Sequence, residues 1–221
     1  MTAIELINDV IVPLETRDKV SAALRQMDEI RVSHLPLIHE NKFLGLLSDN
    51  DLLVADDENI PAGEFSKYLQ LFSINQHEHY YSALRLMTEN RLSIVPVTDQ
   101  KNYYLGAIIA EDLLEASADI LSVKNPGGVI ILHVSEKDFS LSEISRLVES
   151  NDVKILSTGV HSIPGTNMLR ITLKLNKINI EPVIQTFNRF EYDINAYFGE
   201  NEKDEELLRD RYDSLMHYLN M

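Results

Sequence analysis

The chain of 221 residues contains no cysteine and no tryptophan. Without thiols there are no disulfides, no thiolate nucleophile and no cysteine-based zinc or iron–sulfur site, so stability has to come from packing. No run of about eighteen apolar residues occurs, which leaves no segment that reads as a membrane-spanning helix. The opening MTAIELINDVIVPLE carries acidic residues where a signal peptide needs a basic start. A cytoplasmic location is therefore expected. Basic residues are scarce: 20 Lys and Arg stand against 35 Asp and Glu, for a net charge of −15. The imbalance is heaviest in residues 1–60, with 12 acidic and 5 basic side chains. Such a surface repels phosphate backbones, so no nucleic-acid partner is expected, and solubility is the ordinary role of the charge. Neither a GxxxxGK[ST] loop nor the spacing of a hydrolase nucleophile elbow is found. Nothing in the pattern points to an enzyme.

What is present is a repeat. At an offset of sixty, SAALRQMDEIRVSHLP (21–36) and YSALRLMTENRLSIVP (81–96) agree at eight of sixteen positions, far above chance, and the repeat decides the fold reading. Each copy, about 9–56 and 70–116, reads as β-α-β-β-α. A short strand (Val10–Leu14; Leu71–Asn75) precedes an amphipathic helix with apolar Val20, Ala23, Leu24 and Met27, mirrored by Ala83, Leu84 and Met87. Then come strands LPLI (35–38) and VPVT (95–98), a polar turn, strands FLGLLS (43–48) and YLGAII (104–109), and closing helices over 49–55 and 110–121. A unit of under fifty residues is too small to bury its own apolar faces, whereas two packed together solve that problem.

After the Pro-Gly linker at 122–127 the pattern changes. Strands over 128–134, 154–163, 167–175 and 192–200 alternate with helices over 141–150 and 178–190, the second with Asn179 as N-cap and Pro182 in its first turn. The order β-α-β-β-α-β is that of a ferredoxin-like sandwich. The last stretch, 201–221, is acidic at its start and carries a stripe of Leu208, Tyr212, Leu215, Met216 and Leu219, which predicts a C-terminal amphipathic helix.

The chemically informative segment is GLLSDNDL (45–52). Gly45 lets the backbone pass close to a neighbour, Ser48 offers a hydroxyl where the strand ends, and Asp51 places a carboxylate on the first helical turn. A carboxylate there can accept from both hydroxyls of a ribose, with Ser48 reaching ribose or a phosphate oxygen and a helix N-terminus nearby adding donors. Ser48 and Asp51 at spacing three equally make a helix N-cap, and the residues alone leave the two readings level.

The tandem repeat, its RxSxLP and RxSxVP segments and the Gly-apolar-apolar-Ser-x-x-Asp-Leu ending resemble a pair of cystathionine-β-synthase (CBS) domains, a Bateman module, over residues 1–121. The resemblance implies a regulatory protein that binds an adenosine-containing small molecule (AMP, adenosine or an S-adenosyl compound) in clefts between the repeats, with no required cofactor. Carried over by position, the first cleft would use Leu14, Thr16, His34, Pro36, Ser48 and Asp51. The second would use Ile74, Gln76, Ile94, Pro96 and Asp112, but Ile109 stands where the hydroxyl should be, so it is expected to be weaker or empty. Asp49 and Glu111 beside these loops, with no compensating cation, disfavour polyphosphate. Residues 128–200 resemble an ACT domain by strand order and length, although the loop SEKDFS (135–140) lacks the usual glycine. This arrangement is similar to regulatory proteins of the acetoin-utilisation type, and it implies a homodimer with a protein partner still to be named. The alternative is a constitutive oligomerisation scaffold with decayed clefts.

Other polar groups read plainly. His77 and His79 around Glu78, and the run Asp56-Asp57-Glu58, are surface features rather than metal sites; His133 and His161 are strand residues.

Overall fold

The computed structural model describes residues 1–199, so the stretch expected to form the C-terminal helix lies outside the described residues. The chain divides into two compact units, Met1–Ala116 and a second beginning at Ser117, with the division falling inside the last helix of the repeat region.

In the first unit, strands β1 (Leu14–Glu15), β2 (His34–His39) and β3 (Lys42–Ser48) form one three-stranded sheet with helices α1 (Val20–Ile30) and α2 (Asp49–Leu52). Strands β4 (Ile74–Asn75), β5 (Ile94–Thr98) and β6 (Tyr104–Ile109), with α3 (Tyr80–Asn90) and α4 (Ala110–Ile120), repeat the plan. In both sheets the short first strand runs parallel to the middle one and the third antiparallel. Helices α1 and α3 bury Val20, Ala23 and Met27, and Tyr80, Ala83 and Met87, as the helical spacing requires. Each ends on an arginine in the left-handed conformation, Arg31 and Arg91.

Three boundaries differ from expectation. The first strands are only two residues long, because the preceding apolar residues Val10, Val12 and Leu71 are solvent-exposed. The helix expected over 49–55 stops at Leu52. Two 3-10 segments, Ala3–Leu6 and Ala62–Tyr68, are additional.

These 3-10 segments belong to two straps that close the unit. The first strap holds the second repeat: Tyr80 N–H donates to Met1 O (3.2 Å), Ala3 N–H to Glu78 O (2.9 Å), Ile4 N–H to Gln76 O (3.2 Å) and Asn8 N–H to Ala107 O (2.9 Å). The second strap holds the first repeat through equivalent bonds: Val20 N–H to Ile60 O (3.1 Å), Ala62 N–H to Asp18 O (2.7 Å), Gly63 N–H to Thr16 O (3.0 Å) and Gln70 N–H to Leu46 O (3.0 Å). Each strap crosses its sheet over a glycine with positive φ, Gly106 (+152°) under Ile7 and Gly45 (+154°) under Leu69. A Cβ would come within 2.3 Å of Ile7 Cγ2 in one case and 2.8 Å of Leu69 Cβ in the other. The same straps explain how proline sits in a middle strand. Pro36 is opposite Leu46 and Pro96 opposite Ala107, and the carbonyls of Leu46 and Ala107 turn outward to accept from the straps, so neither proline faces a group that needs its missing N–H.

In the second unit, β7 (Val129–Ser135), α5 (Leu141–Glu149), β8 (Ile155–Ser162), β9 (Met168–Leu175), α6 (Glu181–Arg189) and β10 (Asp193–Phe198) give the sheet order β10-β7-β9-β8. Antiparallel pairing throughout and this crossing order make it a ferredoxin-like sandwich. Strands β7 and β9 alternate strictly in burial, and their inward residues pack with Ile144, Leu147, Val148, Val183 and Phe187. Asn179 Oδ1 accepts from Glu181 N–H at 3.3 Å, close to its expected capping role, although Ile180 occupies the cap position itself.

Tyr104 has a buried hydroxyl without a hydrogen-bond partner among the described residues, and burial pushes its pKa above the ordinary phenol value. Its counterpart in the first repeat is Phe43, whose ring needs no partner. Tyr104→Phe is expected to leave stability unchanged or raise it by about 1 kcal/mol, because it removes an unsatisfied polar group; urea unfolding measures this.

Candidate functional site

Ser48 closes β3 and caps α2. Its Oγ accepts from Asp51 N–H (3.2 Å), while Asp51 Oδ2 accepts from Ser48 N–H (3.1 Å) and from the Ser48 hydroxyl (2.6 Å). The segment thus forms a reciprocal capping box. The cap reading of these two residues holds, yet it does not exhaust the carboxylate. Among the described residues Asp51 Oδ1 takes no hydrogen bond, and a carboxylate can accept about four. Asp49 N–H donates to Ser33 O (2.9 Å), which ties the start of α2 to the end of the loop before β2.

His34 lies directly across from Ser48 in the β2–β3 register and is buried with it. Its Nδ1 faces Ser93 N–H at 3.3 Å and the hydroxyls of Ser33 and Ser93, both at 3.1 Å. A ring nitrogen that accepts from a backbone N–H carries no proton, so Nε2 holds it. Ser33 N–H in turn donates to Ser93 Oγ (3.0 Å), and the two equivalent serines meet where the repeats join. Burial lowers the His34 pKa from 6.5, and the nearby Asp49 and Asp51 charges oppose that shift without reversing it.

The register divides the remaining candidates. Pro36 shares a sheet face with His34 and Ser48, whereas Leu14, beside Leu37, is buried on the opposite face. Thr16 is half-buried and its carbonyl is taken by the second strap. In the second repeat, Ile94 faces Ile109 and Pro96 faces Ala107, so an apolar pair replaces His34–Ser48. Ile74 is buried beside Val97 on the other face. Gln76 gives its carbonyl to the first strap. Asp112 Oδ2 accepts from the Asn8 side-chain amide at 2.9 Å. The structure therefore brings His34, Pro36, Ser48 and Asp51 together around one end of the first sheet. Sequence reasoning missed Ser93 and Asn8; the serine sits in the RxSxVP segment, but nothing in the spacing tied either residue to the opposite repeat.

Several other polar groups singled out in the sequence are bonded locally. His79 caps α3, its Nδ1 accepting from Tyr81 N–H (3.3 Å), and Asp57 is held by Asn59. Ser135 donates to Asp138 (2.6 Å) in the glycine-free loop after β7. Among the described residues no three His, Asp or Glu side chains are grouped to hold a metal, and no helix is long and apolar enough to cross a membrane.

Two copies of one small α/β unit, closed by paired straps and carrying a polar cluster at a strand-to-helix junction, define a tandem repeat module. The family is the CBS domain, which matches residues 3–58 and 66–119; the chain belongs to it through this pair. Curated relatives include inosine-5′-monophosphate dehydrogenases of Rhodopirellula baltica, 26% identical over 118 residues, and of Methanocaldococcus jannaschii, 26% identical over 111 residues. These stretches cover 53% and 50% of this chain, and the chain spans only 22% of the length of either enzyme. A CBS domain pair/ACT domain protein from Thermotoga maritima shares the fold at a TM-score of 0.50 and 22% identity, over 55% of this chain and 99% of that one.

Two outcomes follow from this geometry. Ser48→Ala removes the cap and is expected to cost about 1 kcal/mol. Because folding depresses the His34 pKa, the unfolded chain binds the extra proton first. The contribution of His34 is then complete above pH 6.5 and is lost as the pH falls from there through the lower folded-state value. Urea unfolding between pH 5 and 7.5 should show this slope in the wild type and its reduction in His34→Gln.

Proposed function

We propose that the chain is a regulatory protein whose CBS pair senses an adenosine-containing small molecule at the His34–Ser48–Asp51 cluster. The observation that carries this reading is the unused half of the Asp51 carboxylate. Ser48 fixes one oxygen and leaves the other to accept from ribose hydroxyls, while the neutral His34 ring offers an Nε2–H donor on the same sheet face. The cluster does not have the order of a catalytic triad. The Ser48 hydroxyl donates to Asp51 rather than to an imidazole, and the hydroxyls near His34 face Nδ1, the nitrogen that a triad gives to its carboxylate, rather than Nε2, which acts as its base. We therefore read the chain as a sensor and not an enzyme, with no required cofactor and a cytoplasmic setting.

The charge around the site narrows the ligand. No ion pair to Lys or Arg reaches Asp49 or Asp51 among the described residues, so a polyphosphate would meet two carboxylates without a cation between them. AMP, adenosine or an S-adenosyl compound suits the cluster better than ATP. In this reading the ferredoxin-like unit is an ACT-type domain that transmits the bound state or assembles the chain as a homodimer, and a protein partner receives the signal. Regulation of that kind requires the ligand to bind one arrangement of the chain better than another. A scaffold with decayed clefts is the competing reading, favoured by the Ile94–Ile109 pair and the self-satisfied loop after β7.

Thermal unfolding with adenosine, AMP, S-adenosylmethionine and metal-free ATP separates them. A ligand at a hundredfold excess over its Kd stabilises by about 2.7 kcal/mol, and this gain should vanish in Asp51→Asn. Stabilisation of the wild type by none of the four supports the scaffold, and tightest binding of ATP overturns the charge argument.

A further inference from the structure

The two straps share four corresponding backbone bonds but differ in their side chains. Asn8 and Gln70 occupy the same position, each donating its N–H to the middle of the third strand, at Ala107 and Leu46 respectively. Asn8 reaches the carboxylate of Asp112 with its amide (2.9 Å). Gln70, one methylene longer, bonds no side chain among the described residues, and Asp51 is instead held by Ser48. The second repeat has no hydroxyl to do this, since Ile109 stands in the place of Ser48. The strap is fixed at this point from three sides: the Asn8 N–H on Ala107, the Asn8 Oδ1 accepting from Val10 N–H (3.0 Å), and Ile7 seated against Gly106.

We propose that Asn8 is an internal occupant of the second cleft. Among the described residues each carboxylate, of Asp51 and of Asp112, has one bonded oxygen, Oδ2, and the difference lies in the donor. At Asp112 it is a carboxamide carried by the first strap across the approach to the carboxylate, so the strap holds that cleft shut and the pair binds a single ligand. The inference rests on the reading that Asp51 receives ribose hydroxyls in the first cleft. It adds the reason why the second cleft is silent: an amide donor supplied by the chain itself stands in for both the missing hydroxyl and the ligand. A ribose arriving there has to move a side chain that is held by a charge-assisted hydrogen bond and anchored by its own backbone.

The test is calorimetric titration of the full chain with adenosine and with AMP, combined with a thermal double-mutant cycle. Wild type is expected to bind one equivalent, and Asn8→Ala with Ile109→Ser two, the second weaker. Adding Asp112→Asn to that pair should return the stoichiometry to one. Independently of ligand, Asn8→Ala should lower Tm more in the wild type than in the Ile109→Ser background, where a serine can take over the cap. Two equivalents in the wild type, or one in the double variant while the wild type binds, overturns the proposal. Absence of any binding by the wild type defeats the sensing reading instead. The role of Asn8 is then decided by the cycle, and equal Tm losses in the two backgrounds overturn it.

Discussion

The first unit depends on an exchange of straps. A three-stranded sheet with one two-residue strand has little to hold it, and the outer edges of β3 and β6 would stand open to unplanned pairing. Residues 1–8 close the edge of the second repeat and residues 60–70 close that of the first, with four backbone bonds in each that correspond. The condition is local and strict: the backbone must cross the sheet where a side chain would stand, which only glycine at 45 and 106 allows. Burial of Pro36 and Pro96 in middle strands follows from the same crossing, because the carbonyls opposite them turn to the straps.

With the frame held in this way, the two repeats are free to differ at the strand-to-helix junction. In the first, His34 and Ser48 form a buried polar pair, Ser48 bonded to Asp51 and the imidazole Nδ1 to the serines where the repeats meet. In the second, Ile94 and Ile109 fill the same register with apolar volume. Burying the histidine lowers its affinity for a proton, so the polar version of the junction carries a pH-dependent cost that the apolar version lacks. The polar junction carries that cost, and the apolar one contributes to the core.

The repeat, the β-α-β-β-α order and the ferredoxin-like order were legible because each rests on local periodicity. Val20, Ala23 and Met27 face inward in α1 as Ile144, Leu147 and Val148 do in α5, and β7 and β9 alternate as strands must. Ser48 and Asp51 were legible as a pair, but not their roles, since capping and ligand binding ask for the same residues at the same spacing. The straps were illegible. Their 3-10 turns carry no periodic signal, and their partners are distant in sequence, some seventy to a hundred residues away for the first strap and some twenty-five to fifty for the second. Asn8 and Ser93 act on the opposite repeat, and no spacing rule connects positions that only the tertiary pairing brings together. The shortness of α2 was missed for a related reason: Leu53 and Val54 look like a continuing apolar face but are exposed.

The two straps differ in where they lie along the chain. The segment that closes the first repeat follows it directly, at residues 60–70, whereas the one that closes the second repeat is residues 1–8, on the far side of the first repeat. The first repeat can therefore complete its sheet edge from its own neighbourhood, while the second does so only by contact with residues far back in sequence. The two halves of one duplicated plan thus close over unequal loop lengths, and the second bears the larger closure entropy.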